Sequence, residues 1–311
     1  MLPILSELEK TFSGRCAAPP MPASLWREIC EAYPPRLDSS SPSAPSLDMA
    51  MTAGDLGLAL LWIVQASLVR GLIADITADQ ADNNNLFSEI GPAAIGALAH
   101  NDDRERPVIL SQGCMLNGTK RYITGGTSSD FIFVTSREKA DDKISHLVMV
   151  RTRDIPPGSL VDLDLGSLKT VSHGRLTLSD FAVPDGCIIP CERKPLRRSI
   201  KRWSIIERSL IMQSFLGLMQ YINRAIIRET GTMVIEEDEL DSAIKTQNET
   251  VHEQIDSALA GDLIDEKHPV FQQSAQFLKN LSQFYADSRA GLSEELCMRF
   301  NDLNFMLKIS R

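Results

Sequence analysis

The sequence predicts an α+β protein in three parts: a helical N-terminal domain over 1–105, a small antiparallel β-barrel over 106–192, and a C-terminal helical bundle over 193–311. Three observations point there. The apolar period is helical up to about residue 100, close to two from Val108 to about Ile189, and helical again from Pro195. Turn signals crowd the middle third and thin out on either side. A chain of 311 residues, 43% hydrophobic and 23% charged, is long enough for two or three packed domains and is neither disordered nor fibrous.

Each element follows from local chemistry. SLWREICEAY (24–33) reads as a short helix with Ser24 as its N-cap. PPRLDSSSPSAPSL (34–47), rich in Pro and Ser, reads as a mobile surface loop. Residues 52–80 read as helix, broken by the DNNN run Asp82–Asn85. FIFVTS (131–136), SHLVMVRT (145–152) and GRLTLSDFAV (174–183) are strand-like, separated by the turn signals LNGTKR, ITGGTSS, REKADDK and RDIPPGS. In the last third, Ile211, Phe215, Leu218, Ile222 and Ala225 form one apolar stripe at helical spacing. A polar helix over 236–260 starts in the acidic run EEDELD, as suits a helix N-terminus. Helices over 269–289, with Pro269 in the first turn and Phe271, Leu278, Leu281 and Phe284 inside, and over 293–309 complete a bundle.

Composition excludes several classes. With 32 Lys and Arg against 41 Asp and Glu, the net charge of -9 argues against a general nucleic-acid binder. The six cysteines form no C-x-x-C pair and the five histidines are scattered, so neither a disulfide framework nor a metal site is expected; Cys187 and Cys191 read as two unrelated thiols. MLPILSELEK lacks a signal-peptide core, and the apolar run Leu56–Val69 is too short to span a bilayer. A cytoplasmic protein without membrane contact is the expectation.

Three stretches resemble the acyl-CoA dehydrogenase family. LNGTKRYITGGTSSDFIFVTS (116–136) is similar to the family's N-G-x-K-x-W-I-T-N-G strand pair. GRLTLSDFAVPDGCII (174–189) resembles its L-x-F-x-D-x-x-V-P exit, and IERSLIMQSFLGLMQYINRAIIRE (206–229) the long helix that opens its C-terminal bundle. The resemblance covers roughly residues 50–310 and implies the family's three-part architecture. It also implies FAD bound between the β domain and the bundle, and a glutamate that removes the α-proton of an acyl thioester while the β-hydride passes to the flavin.

Residue by residue, the resemblance places Glu207, in WSIIERSLIM, at the base position used by the isovaleryl and long-chain branches. A carboxylate amid Ile205, Ile206, Leu210 and Ile211 would be desolvated, which raises its pKa toward that of a general base. Arg208 falls where the family has an Arg near the substrate. Thr124 matches the threonine that hydrogen-bonds the flavin edge, Tyr122 replaces the Trp beside the flavin, and Gly125 permits close backbone approach. Read without the family, Glu207 is a helix-face glutamate, Arg208 a surface arginine and Thr124 an ordinary strand threonine.

The departures are as informative. Where the family has T-E-P-x-A-G-S-D, this chain has IGALAHNDDRERPVIL (95–110); Asn101 and Asp102 stand for the Thr and Glu as substrate contacts, and the Gly-rich part is missing. The R-x-x-F-G that reaches a neighbouring subunit's FAD diphosphate is reduced to Arg228 and Gly231 in RETGTM, and the Q-x-x-G-G-x-G stretch has no counterpart. Arg193, Lys194, Arg197, Arg198, Lys201 and Arg202 form a basic patch in an acidic protein, readable as a solvated linker, as a dock for CoA phosphates or an acyl carrier protein, or as an oligomer contact for the acids at 236–241. Two functions follow: an FAD-dependent dehydrogenase of acyl thioesters working as a homo- or hetero-oligomer, or a flavin-free relative serving as a structural or regulatory subunit.

Overall fold

A computed structural model describes residues 23–37, 45–78, 91, 93–111, 114–262 and 271–309. The N-terminal helices are α1 (Ala23–Ala32), α2 (Pro45–Ala53) and α3 (Leu56–Thr77), the last a continuous helix whose middle, Val64–Gly71, is π-wound. Ser24 lies inside α1 rather than capping it. The Pro/Ser-rich segment does not stay a loop to its end: Pro45 opens α2, because proline's fixed φ suits a first helical turn. Helix starts again after Gly54 because Asp55 caps α3, accepting from the Leu58 N–H at 2.9 Å. The DNNN run and Pro269 lie outside the described residues.

By length and composition α3 could cross a membrane, but 89% of its most apolar window is buried inside the protein. It packs against the long helix α4 (Arg193–Thr230). The contact is close at Gly71, where an added Cβ would come within 2.3 Å of the Trp203 ring. That ring cannot swing away freely, since its indole N–H donates to Asp75 at 3.1 Å. Gly71→Ala is therefore expected to destabilise the protein by about 1–3 kcal/mol in chemical denaturation; wild-type stability would mean that α3 and α4 separate easily here.

The middle region is two small sheets, not a closed barrel. One has the order β1–β4–β5, from Gly96–Ala99, Phe131–Ser136 and His146–Arg151. The other has the order β2–β3–β7–β6, from Ile109–Leu110, Met115–Thr124, His173–Ala182 and Leu160–Asp162. Nor is it wholly antiparallel, for β1 pairs parallel with β4. β1 also adds a strand inside the region expected to be helical; four residues are too few for a period to be read. The alternation decides the packing. Ala97, Ile132, Val134, Val148 and Val150 share a core with Leu116, Ile123, Leu176 and Leu178 of the other sheet. Leu98, Phe131, Phe133, Leu147 and Met149 face the opposite way and join the helical core. One sheet thus carries apolar residues on both faces, which couples the β region to the helices.

Asn117-Gly118 is not a turn. It sits within β3 at a bulge, with Gly118 at φ 137°, and an added Cβ there would lie 2.4 Å from the Pro107 carbonyl oxygen. The dipeptide marks a close backbone crossing instead. The C-terminal helices follow the expected pattern: α5 (Glu237–Leu259), α6 (Phe271–Ser288) and α7 (Glu294–Ile309) accompany α4. Along α4, Phe215, Leu218, Ile222 and Ala225 are buried and Ile211 partly so.

Candidate active site

β3 gathers most of the candidate residues. The chain after β1 runs beside it: the Arg121 N–H donates to the Asn101 carbonyl at 2.9 Å, and Asp102 bridges Lys120. Asn101 and Asp102 thus lie alongside Arg121 and Lys120, next to Tyr122 in the strand, while Thr124 and Gly125 lie further along, at the end of β3, with Gly125 beside Gly96 and Ala97. Tyr122, at φ 58° in a second irregularity of β3, holds its ring 53% exposed. Such exposure is unusual for so large a side chain. Gly125 is left-handed at φ 92°, and a Cβ there would lie 3.5 Å from the Gly96 carbonyl oxygen.

Thr124 ends β3 directly opposite His173 on β7, so the two side chains share a face. His173 is buried, its Nε2 has no partner among the described residues, and burial lowers its pKa to about 4, leaving it neutral. The sequence reading missed this histidine, because a lone His in VSHGR carries no pattern.

Asp102 is engaged inside its own sheets. Its Oδ1 accepts from Lys120 Nζ at 2.7 Å and from the Val108 N–H at 3.1 Å, and its Oδ2 meets Arg137 at 2.5 Å. Lys120 is fully buried and also donates to the His100 carbonyl at 3.1 Å and the Thr135 hydroxyl at 3.0 Å, so all three ammonium protons are placed. Burial lowers its pKa to about 8, against the pull of Asp102. The Lys of the N-G-x-K motif is thereby explained as an anchor between the strands and the segment beside Tyr122.

Glu207 lies on α4, half-buried, on the helix face that also carries Trp203, Leu210 and Gly217. Ile205, Ile206 and Leu210 around it are buried. No hydrogen bond or ion pair to its carboxyl is found among the described residues, and desolvation raises its pKa to about 7, opposed only in part by the Arg208 charge. Arg208 itself is exposed. The link from Glu207 to the β3 group is the π-wound part of α3. At its start Gln65 clamps β1, accepting from the Gly96 N–H at 2.8 Å and donating to the Gly96 carbonyl at 2.5 Å. At its end Gly71 abuts Trp203, one turn before Glu207.

Arg228 is not brought to this place. It is exposed in the last turn of α4, 21 residues beyond Glu207, about 31 Å along the axis. A cavity of about 770 Å³ opens beside the Gly125–Ser129 turn, with Ser129, Asp130, Met149 and Arg151 in its walls; neither Thr124 nor Glu207 lines it, so it is a separate cleft.

No protein family and no curated protein matches the chain by sequence. Solved structures do match. An acyl-CoA dehydrogenase from Geobacillus kaustophilus aligns at TM-score 0.68 and 18% identity, over 96% of this chain and 86% of that one. A glutaryl-CoA dehydrogenase from Mycobacterium smegmatis in complex with FADH2 aligns at 0.69 and 15%, over 98% and 88%. KijD3, in complex with FMN and an amino-keto sugar nucleotide, aligns at 0.71 and 13%, over 97% and 89%. At these identities the likeness is one of fold.

Proposed function

From the acyl-CoA dehydrogenase fold that this chain adopts, we propose that it is a flavin-dependent oxidoreductase that desaturates an acyl thioester between its α and β carbons, with Glu207 as the base. The observation that carries this reading is Glu207 itself. A half-buried carboxyl without an ion-pair partner, raised to about 7, is poised to take a proton at neutral pH.

The β3 group fits the ring end of a flavin. The orphaned His173 Nε2 and the Thr124 hydroxyl share one face, and both can hydrogen-bond a ring edge. The exposed Tyr122 ring offers a stacking surface. Bound there, FAD would supply the acceptor for the β-hydride. In that arrangement Glu207 receives the α-proton on its carboxylate, and the electron pair of the broken C–H bond becomes the new α,β double bond. In this reading Asn101 and Arg208 would contact the polar parts of the substrate. We assign Asp102 to holding this corner through Lys120 and Arg137 rather than to contacting substrate, because both its oxygens already meet cations. Arg228, so far from Glu207, would serve the diphosphate of a neighbouring subunit in an oligomer.

The second reading, a flavin-free structural or regulatory subunit, is favoured by one observation. Where the family has a Gly-rich loop, this chain has the Asp102 ion cluster and the charged run DDRER. Incubation with FAD followed by gel filtration separates the two readings. The dehydrogenase reading expects protein that carries the flavin absorption band and bleaches anaerobically on adding an acyl-CoA. Protein that stays colourless would establish the flavin-free reading.

A further inference from the structure

The first half of α4 carries a row of exposed cations. At 100° per residue, Arg193, Lys194, Arg197, Arg198, Lys201 and Arg208 fall within an arc of about 140°, and all six are exposed. No acidic residue of this half of the helix shares that arc. Lys194, Arg197 and Arg198 have no hydrogen bond or ion pair among the described residues, and Arg193 meets only the exposed Glu138. Arg202 shows the contrast. It lies on the other side of α4, buried, bonded to Asp75 at 3.2 Å and to the carbonyls of Ala258 and Gly261 at 3.4 and 2.9 Å.

Arg193 and Lys194 do not stabilise the start of their own helix either. The first turn of α4 holds cations and no acid, against the helix macrodipole. In a chain of net charge -9, such a concentration of one sign is a recognition feature.

We propose that this face of α4 docks an acidic acyl carrier protein, which presents its tethered thioester to Glu207. The proposal deepens the acyl-thioester reading above and rests on it. Length decides between carriers. Arg193 and Arg208 lie about 22 Å apart along the axis, a row matched by the acidic side of a partner helix; the phosphates of CoA cluster at one end of one small molecule. Position agrees. Lys201 and Arg208 bracket Glu207 on the same helix, and the rest of the row lies about 14–21 Å from it along the axis, so a flexible phosphodiester-linked arm need only pass round the flank of α4.

The test uses a dye-labelled, octanoyl-loaded bacterial acyl carrier protein, the flavin-loaded full chain and the double variant Arg197→Glu/Arg198→Glu. By fluorescence anisotropy, the wild type is expected to bind the carrier, more weakly as salt rises from about 50 to about 300 mM. The double variant should bind at least about tenfold more weakly while oxidising octanoyl-CoA like the wild type. No carrier binding, or equal binding by the variant, overturns the proposal. Oxidation of octanoyl-CoA without carrier binding leaves the thioester reading standing and removes the dock. Salt-sensitive carrier binding lost in the variant, with neither thioester oxidised, keeps the dock and removes the reading. Sedimentation of the two proteins covers the remaining occupant: a self-associated wild type, dispersed by the double variant and unable to bind carrier, would make this face an interface between copies and overturn the proposal.

Discussion

Replacing Glu207 by Gln is expected to lower kcat on an acyl-CoA by about 10²–10⁴-fold while the flavin absorption of the protein stays intact. The amide keeps the size and packing of the side chain and removes only its ability to accept the α-proton. The wild-type rate should rise with pH through about 7 and level off above it, because the carboxyl must be ionised to act. Activity retained by the variant would take Glu207 out of the base role.

The same substitution should act in the opposite direction on stability. A carboxyl whose pKa is about 7 when folded and 4.5 by reference is protonated in the folded state where it is ionised in the unfolded one. The folded state therefore binds more protons across that window, and wild-type stability falls as pH rises from about 4.5 to 7. Glu207→Gln removes this penalty. It should be more stable than wild type at pH 8 by on the order of 2 kcal/mol, a value reduced for partial solvent access, and no more stable near pH 4.5. Urea denaturation at the two pH values checks this. Equal stability at pH 8 would mean that the carboxyl is well solvated.

Asp102→Asn is the second large effect, with an expected loss of about 3–5 kcal/mol in chemical denaturation. The variant leaves the Lys120 ammonium buried among neutral acceptors alone, the His100 carbonyl, the Thr135 hydroxyl and the new amide oxygen. Arg137, partly exposed, can turn to water; Lys120 cannot. Burial already lowers the Lys120 pKa to about 8, and without Asp102 it falls further. A lysine whose pKa is lower folded than unfolded binds fewer protons when folded, so stability rises with pH across that window. The loss in Asp102→Asn should thus shrink at about pH 9.5, where neutral Lys120 is more easily formed. Adding Lys120→Met should recover most of it at neutral pH by removing the orphaned charge. A double variant no more stable than Asp102→Asn would show that the carboxylate matters for some reason other than neutralising Lys120.

The sequence alone determined the long-period features of this protein. The stripe from Phe215 to Ala225, the strands at 131–136 and 146–151, and the turn at Gly125–Ser129 are each fixed by neighbours a few residues apart. Glu207 is singled out by resemblance to the family's base position; its own helix neighbours Ile205, Ile206 and Leu210 make that role compatible with the local chemistry. Tertiary structure decided whatever depends on residues distant in the chain. Whether Asn-Gly at 117–118 is a turn or a bulge turned on the approach of Pro107. Whether Asp102 faces a substrate or a cation turned on Lys120 and Arg137, 18 and 35 residues away. His173 became a candidate only when β7 set it against Thr124, and Gln65 only when the π-wound helix carried it to Gly96. Sequence periodicity reports which side of an element is apolar; it holds no record of which element that side will meet, and a site made of long-range pairs is written in those meetings.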